Sequence, residues 1–326
     1  MTGTEEYNNK FYQKAQAKIA KYPKEWMLNG FYNSIIINKA YTTGCTYLAY
    51  VIKFIEQLEC EIKDITVDDY YGFMASLKTS SASAQITAYH ALQKYSRYLK
   101  SKNICEDYMQ YVERPKFFET QKTKEKRENG YLTKKETKEM FNQINHGFSK
   151  KPRNRNDRWK QREKVIVMIF LNTGIRCAAL NKLDIDDVDL DNNTITVFEK
   201  GFKTKKIIIS DQLVSEIKKW LEYRNDYLDG DTSERALIIN HYKKRLDNIG
   251  IYNVIKKAGI NIKNKNVSPH KLRATYGTQL YNKTHDLYFV QEAMGHSNPK
   301  TTETYIRGQK NDVAKKASDL MDDFLS

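Results

Sequence analysis

Between Arg114 and Gly130 the chain reads RPKFFETQKTKEKRENG. Past Phe118 this stretch carries charge after charge and almost nothing to bury. A segment of that composition does not run through a hydrophobic core, so it divides the 326 residues into two parts that must each build their own. The length agrees, since about 150 residues per domain leaves room for two domains. The expected organisation is an N-terminal extension over 1–35, a helical unit over 36–115, a basic linker over 116–130 and a second domain over 131–326.

Periodicity fixes the class of each part. Up to about residue 30 the chain is polar, with scattered apolar positions, and reads as a tail or a short extra helix. Thr46 to Leu58 places apolar residues at i, i+3, i+4 and i+7, the pattern of a buried helix face. ITVDDYYGFMASL from Ile65 reads as a turn into a second helix. The run from Ser80 is a longer helix with Ile86, Tyr89, Leu92, Tyr95 and Leu99 on one side, and Asn103 to Tyr111 is expected to form a fourth, short one. The pattern restarts at Tyr131, where Thr133 and Glu136 form a capping-box signature. KVIVMIFLNTGIR is an apolar helix that stops at Gly174. The β-branched runs TITVF and KIIIS predict a hairpin or three-stranded sheet joined across Glu199, Lys200 and Gly201. Helices then dominate to the end. The fold class is mainly α with a small β-sheet: an all-helical domain followed by a mixed, mostly helical α/β domain.

The charge narrows the partner. Lys and Arg number 55 against 40 Asp and Glu, a net charge of +15. Such a surface favours polyanions, with nucleic acid first among them. No apolar run is long enough for a membrane span, and the N-terminus lacks the apolar region of a secretion signal. The expected location is cytoplasmic, at the nucleoid. Cys45, Cys60, Cys105 and Cys177 have no zinc spacing and are expected to be thiols that pack as small hydrophobes. No metal, disulfide or cofactor is expected.

A few polar residues stand at positions where a scaffold would hold them. Ser268 and Pro269 open a helix as N-cap and first residue. His270 and Arg273 follow one turn apart on one face, near the positive end of the helix dipole, where an anion is favoured. Arg176 follows the Gly174 stop, on packed scaffold from which its fork could meet a phosphate. Lys200 precedes Gly201 at the hairpin tip, with Lys203, Lys205 and Lys206 alongside. His296 follows the Gly295 helix stop, and Tyr305 comes nine residues later. One tyrosine among 23 means little, but a tyrosine after this Gly-His turn means more.

The series Arg176, Lys200, His270-x-x-Arg273, Gly295-His296 and Tyr305 resembles the tyrosine recombinase (phage integrase) family. PHKLRATYGTQL…LYFVQEAMGHSNPKTTETYIR is similar to the family's second signature, and MIFLNTGIRCAALNKLDIDDVDL to its first. The helical bundle resembles the family's core-binding domain. Two positions depart: Ala179 stands where members usually carry an acidic residue, and Ala274 where histidine is common.

The resemblance implies a chemistry that the residue types can support. Arg176 and Arg273 would neutralise the phosphate charge, with His296 as a further donor. His270 would move a proton near the phosphate, and Lys200 would protonate the leaving 5′ oxygen. Tyr305 would form a 3′-phosphotyrosyl link and so conserve the bond energy without metal or ATP. No phosphate-binding G-x-x-x-x-G-K-[ST] loop occurs. The implied partner is duplex DNA, bound by a homotetramer that exchanges strands through a Holliday junction. The stripe Val313, Ala317, Leu320, Met321 and Phe324 would be the helix exchanged between subunits. An accessory DNA-bending or directionality factor is a further candidate partner. A mobile-element integrase is the first expectation and Xer-like dimer resolution the alternative. A site-indifferent topoisomerase and a catalytically dead DNA-binding protein are the other readings.

Overall fold

The computed structural model describes residues 3–117, 129–147, 157–198 and 204–295. The chain forms two compact units, Met1–Phe118 and Glu119–Ser326, divided inside the charged stretch. As expected, the fold is mainly α with one small sheet. None of the helices among the described residues is long and apolar enough to cross a membrane.

The described part of the first unit holds α1 (Gly3–Ile19), α2 (Leu28–Ile36), α3 (Tyr41–Ile55), α4 (Val67–Ser76) and α5 (Ala82–Ser101). Caps explain two of the starts. Thr66 receives the reach-back bond of a capping box, its N–H donating to Asp69 at 2.8 Å. The Ser81 hydroxyl accepts the Ala84 N–H at the head of α5. Aromatic rings fill the core: Phe54 stacks on Tyr70 at 4.7 Å, and Phe31 meets Tyr95 edge-on at 5.1 Å.

Two expectations change here. The segment expected as an extension contributes Ala15, Leu28, Phe31, Tyr32 and Ile35 to the buried core. Its polar composition conceals a narrow stripe, Tyr12, Ala15 and Ile19, which α1 lays against the bundle. The short helix expected over Asn103–Tyr111 is only a 3-10 turn, Tyr108–Gln110. Met109 inserts fully into the core there. The Tyr71 and Tyr89 hydroxyls donate to the carbonyls of Tyr111 and Val112 at 2.9 and 3.2 Å, in place of a following helical turn.

The described part of the second unit runs α6 (Lys134–His146), α7 (Asp157–Thr173), α8 (Cys177–Lys182), β1 (Val188–Asp189), β2 (Thr194–Phe198), β3 (Thr204–Ile208), α9 (Asp211–Leu228), α10 (Asn248–Ala258), α11 (Pro269–Thr284) and α12 (Leu287–Met294). The strands form an antiparallel sheet in the order β1-β2-β3. Helix α7 is its axis: Val165 to Phe170 are buried on every side, as a helix apolar all round must be. The cysteines are half-buried thiols packed against the two cores.

The start of this unit is laced to α11 and the loop before it. The Leu132 N–H donates to the Thr275 hydroxyl at 2.8 Å, and the Lys271 ammonium to the Asn129 carbonyl at 2.9 Å. Lys265 donates to the Tyr131 carbonyl at 2.9 Å and to Glu136 at 2.8 Å. Glu136 also closes the α6 capping box with Thr133. Burial pushes the Glu136 carboxyl up, but its bonds to Lys265 and Thr133 outweigh this and hold it below its ordinary value of 4.5. A depressed carboxylate contributes stability above its unfolded pKa and loses it as pH falls through the folded value. Glu136→Gln should therefore lower the urea midpoint at pH 7, and the difference from wild type should shrink as the pH falls below the ordinary value of 4.5.

Candidate functional site

Helix α7 carries its apolar residues to Thr173 and then needs a residue that can turn back. Gly174 supplies it, with φ +59 in the left-handed region. Ile175 is buried, and Arg176 emerges exposed as the residue that opens α8. A second stop of the same kind closes α12, where Gly295 has φ +61.

Arg273, in the second turn of α11, joins these two stops. It is only 5% exposed. One terminal nitrogen donates to the Gly174 carbonyl. The other donates to the Met294 carbonyl at 2.6 Å. Both acceptors lie at helix C-termini, where carbonyls lack helical partners and the dipole is negative. The guanidinium is thus a cation between two negative helix ends. Gly174 lies two residues before Arg176, and Met294 two residues before His296. His270 is exposed in the first turn of the same helix, whose Ser268 cap accepts the Lys271 N–H.

The Tyr276 ring closes the corner. It packs so tightly on Gly174 that a Cβ there would lie 2.3 Å from it. Burial raises the Tyr276 phenol above its ordinary value, and the Arg273 charge pulls the other way. Ala274, Val290 and Met294 form a small apolar cluster beside it.

Of the six candidates, Arg176, His270 and Arg273 fall in the described residues, and the Arg273 contacts draw their segments together. Lys200, His296 and Tyr305 lie outside them, as does the Val313–Phe324 stripe. The departures have a packing context. Ala179 belongs to the main apolar core and Ala274 to the small cluster. Arg273 bonds to the backbone carbonyls of Gly174 and Met294. Among the described residues no group of three His, Cys, Asp or Glu could hold a metal ion.

Sequence reasoning passed over Lys205, which donates to the Glu292 and Ala293 carbonyls at 2.7 and 2.9 Å. One signal could have found it. Counting by two from Ile207 puts a lysine on the apolar face of a strand. The bond from Leu132 to Thr275 had no signal, because it joins residues 143 apart.

Residues 130–312 match the phage integrase family. The tyrosine recombinase XerD of Staphylococcus epidermidis is 32% identical over 155 residues, 47% of this chain and 52% of that protein. The tyrosine recombinase XerC of Caldanaerobacter subterraneus subsp. tengcongensis is 28% identical over 263 residues, 76% of this chain and 68% of that protein. The chain thus spans only about half the length of curated relatives such as XerD. Among solved structures, XerH site-specific recombinase bound to its palindromic difH substrate, in a post-cleavage complex, superimposes with a TM-score of 0.69. The identity is 23%, over 86% of this chain and 80% of that one, and the likeness is one of fold.

Gly174→Ala tests the corner. It combines a left-handed backbone with a clash against Tyr276, and should destabilise the second unit by about 2–4 kcal/mol in urea unfolding.

Proposed function

The chain belongs to the phage integrase family, and we propose that it is a site-specific DNA recombinase that cuts and rejoins strands through a covalent bond to Tyr305. The observation that carries this reading is the buried Arg273, bonded to the carbonyls of Gly174 and Met294. It ties the helix that carries His270 to Gly174, two residues before Arg176, and to Met294, the second residue before His296 in sequence. A guanidinium matches phosphate oxygens with charge-assisted hydrogen bonds, and in this reading Arg273 and Arg176 are the pair that meets the phosphate.

The reaction follows from the residue types. A phenol with a pKa near 10 is a weak nucleophile at neutral pH, and attack on a phosphodiester gathers negative charge on its non-bridging oxygens. Arg176 and Arg273 neutralise that charge, and His296 adds a donor. The Tyr305 oxygen bonds to phosphorus and gives up its proton, which His270 accepts in this reading. The bond to the 5′ oxygen breaks, and Lys200 supplies that oxygen with a proton. The 3′ phosphate stays on Tyr305 until the 5′ hydroxyl of another strand attacks and releases the tyrosine. Phosphoester count is conserved, so the cycle needs no ATP, and the cationic side chains take the role a divalent metal would play.

Duplex DNA is the partner in this reading, and the net charge of +15 supports it. Affinity should come largely from Lys and Arg on phosphates and fall steeply with salt. The working assembly is a homotetramer linked by exchange of the C-terminal helix, acting through a Holliday junction at the nucleoid. Integration and excision of a mobile element is the first reading. The Xer names of the relatives at 28–32% identity favour resolution of chromosome or plasmid dimers as the second.

The test uses a nicked suicide DNA substrate with EDTA present and a denaturing gel as readout. Wild type should give a covalent protein–DNA band and Tyr305→Phe none. A band that persists in Tyr305→Phe rules out this nucleophile. Lys200→Ala should slow cleavage at least ~100-fold, as general-acid loss does. Most of that loss should disappear when sulfur replaces the 5′ bridging oxygen, because a thiolate leaves without a proton.

A further inference from the structure

Lys205 occupies a position that the sheet reserves for an apolar side chain. The register pairs it with Val197 and pairs Ile207 with Ile195. Directly opposed residues point to the same face. Val197 and Ile195 are buried, and Lys205 is half-buried among them, while its neighbours Thr204 and Lys206 face outward. A lysine on an apolar face usually threads its stem past the core and leaves its ammonium in water. This one ends on protein. Its Nζ lies 2.7 Å from the Glu292 carbonyl and 2.9 Å from the Ala293 carbonyl.

Those two acceptors complete an account of the end of α12. A helix leaves its last four carbonyls without helical partners, here those of Gln291, Glu292, Ala293 and Met294. The Gly295 N–H turns back to Gln291 and Glu292. Lys205 takes Glu292 and Ala293, and Arg273 takes Met294. Every orphan carbonyl is met, and two of the three donors are cations from other elements. One of those elements, α11, carries His270 and Arg273. The other, β3, belongs to the hairpin in which Lys200 precedes Lys205 by five positions in sequence.

We propose that Lys205 is a positioning residue for strand cleavage: it locks β3 to the C-terminal turn of α12 and so holds the hairpin and the Arg273–Met294 contact in one frame. The inference rests on the recombinase reading for its consequence in catalysis, and on the hydrogen bonds alone for the lock. A bare hydrophobic residue of similar length would keep the stem packing and lose the lock. Arginine would keep the charge and the donors.

The experiment compares wild type, Lys205→Met and Lys205→Arg in the full chain. Cleavage of the suicide substrate is followed at saturating DNA, DNA affinity is measured separately, and amide exchange is followed across 204–208 and 287–295. Lys205→Met should cleave at least ~10-fold more slowly at saturating DNA, the size of effect expected when a preorganised charge is loosened. Its Kd for DNA should stay within ~3-fold of wild type, since a lysine whose ammonium bonds two backbone carbonyls adds little to binding. Exchange across 204–208 and 287–295 should rise together by at least ~10-fold, the signature of one local unit opening. Lys205→Arg should restore both cleavage and protection.

Wild-type cleavage by Lys205→Met overturns the proposal, and so does unchanged exchange in both segments. Equal losses in the Met and Arg variants, with a matching fall in Tm, show a merely structural lysine and overturn it as well. If wild type itself forms no Tyr305-dependent adduct, the recombinase reading fails instead, and the exchange result alone decides whether the lock exists.

Discussion

The second unit depends on a guanidinium placed between two helix ends. Taking a cation out of water costs several kcal/mol unless its donors are met. Arg273 is nearly buried and meets carbonyls at the ends of α7 and α12. Those carbonyls would otherwise be orphans in the same interior, so one contact relieves both problems. The geometry follows from the two glycines. Gly174 and Gly295 both adopt positive φ, which ends each helix abruptly and leaves its last carbonyls open to a donor from another element. Arginine suits this place better than lysine. Its planar fork fixes two acceptors at once, whereas an ammonium on a flexible stem fixes a point.

The features legible in the sequence are those whose cause is local. Ser268-Pro269, Thr133 with Glu136, and the two glycine stops declare helix ends through residues within one turn, and the structure has them in place. The hairpin strands were readable because β-branched runs alternate over a few residues. Features with distant causes were harder to see. Helix α1 joins the first core through a stripe too narrow to stand out among Lys and Asn. The stretch after Asn103 fails to become a helix because tyrosines on other elements take its carbonyls. In the site, the resemblance supplied the order of Arg176, His270 and Arg273, but nothing in it said that Arg273 is buried or bonded to backbone. That depends on where Gly174 and Met294 arrive after the chain has folded.

Ala179 and Ala274 show how a site can change its support. A carboxylate at 179 would have to sit in the main apolar core, and an imidazole at 274 in the Val290–Met294 cluster. Either would be a buried polar group needing a partner of its own. With alanine at both places the surroundings are apolar, and Arg273 bonds to the main-chain carbonyls of Gly174 and Met294. Backbone acceptors have an advantage in this setting. They carry no proton to gain or lose, so these two bonds do not vary with pH as a bond to a carboxylate would.

Under the proposed phosphate chemistry, the contrast between the two arginines would have a physical meaning. Arg176 is exposed on the residue after a buried isoleucine, while Arg273 is enclosed. An exposed cation draws a polyanion in, but water and salt screen it and it must settle when the phosphate arrives. An enclosed cation held by fixed dipoles has already lost its freedom during folding, so it pays no reorganisation as charge develops on the phosphate. The desolvation of Arg273 is therefore borne by the helix ends and the apolar packing around them, ahead of any substrate. Loosening either helix end would return part of that reorganisation to the reaction, even with every side chain at the centre intact. Lys205 on β3, far in sequence from Arg176 and Arg273, bonds the same helix end that Arg273 holds, so the two cations share one support.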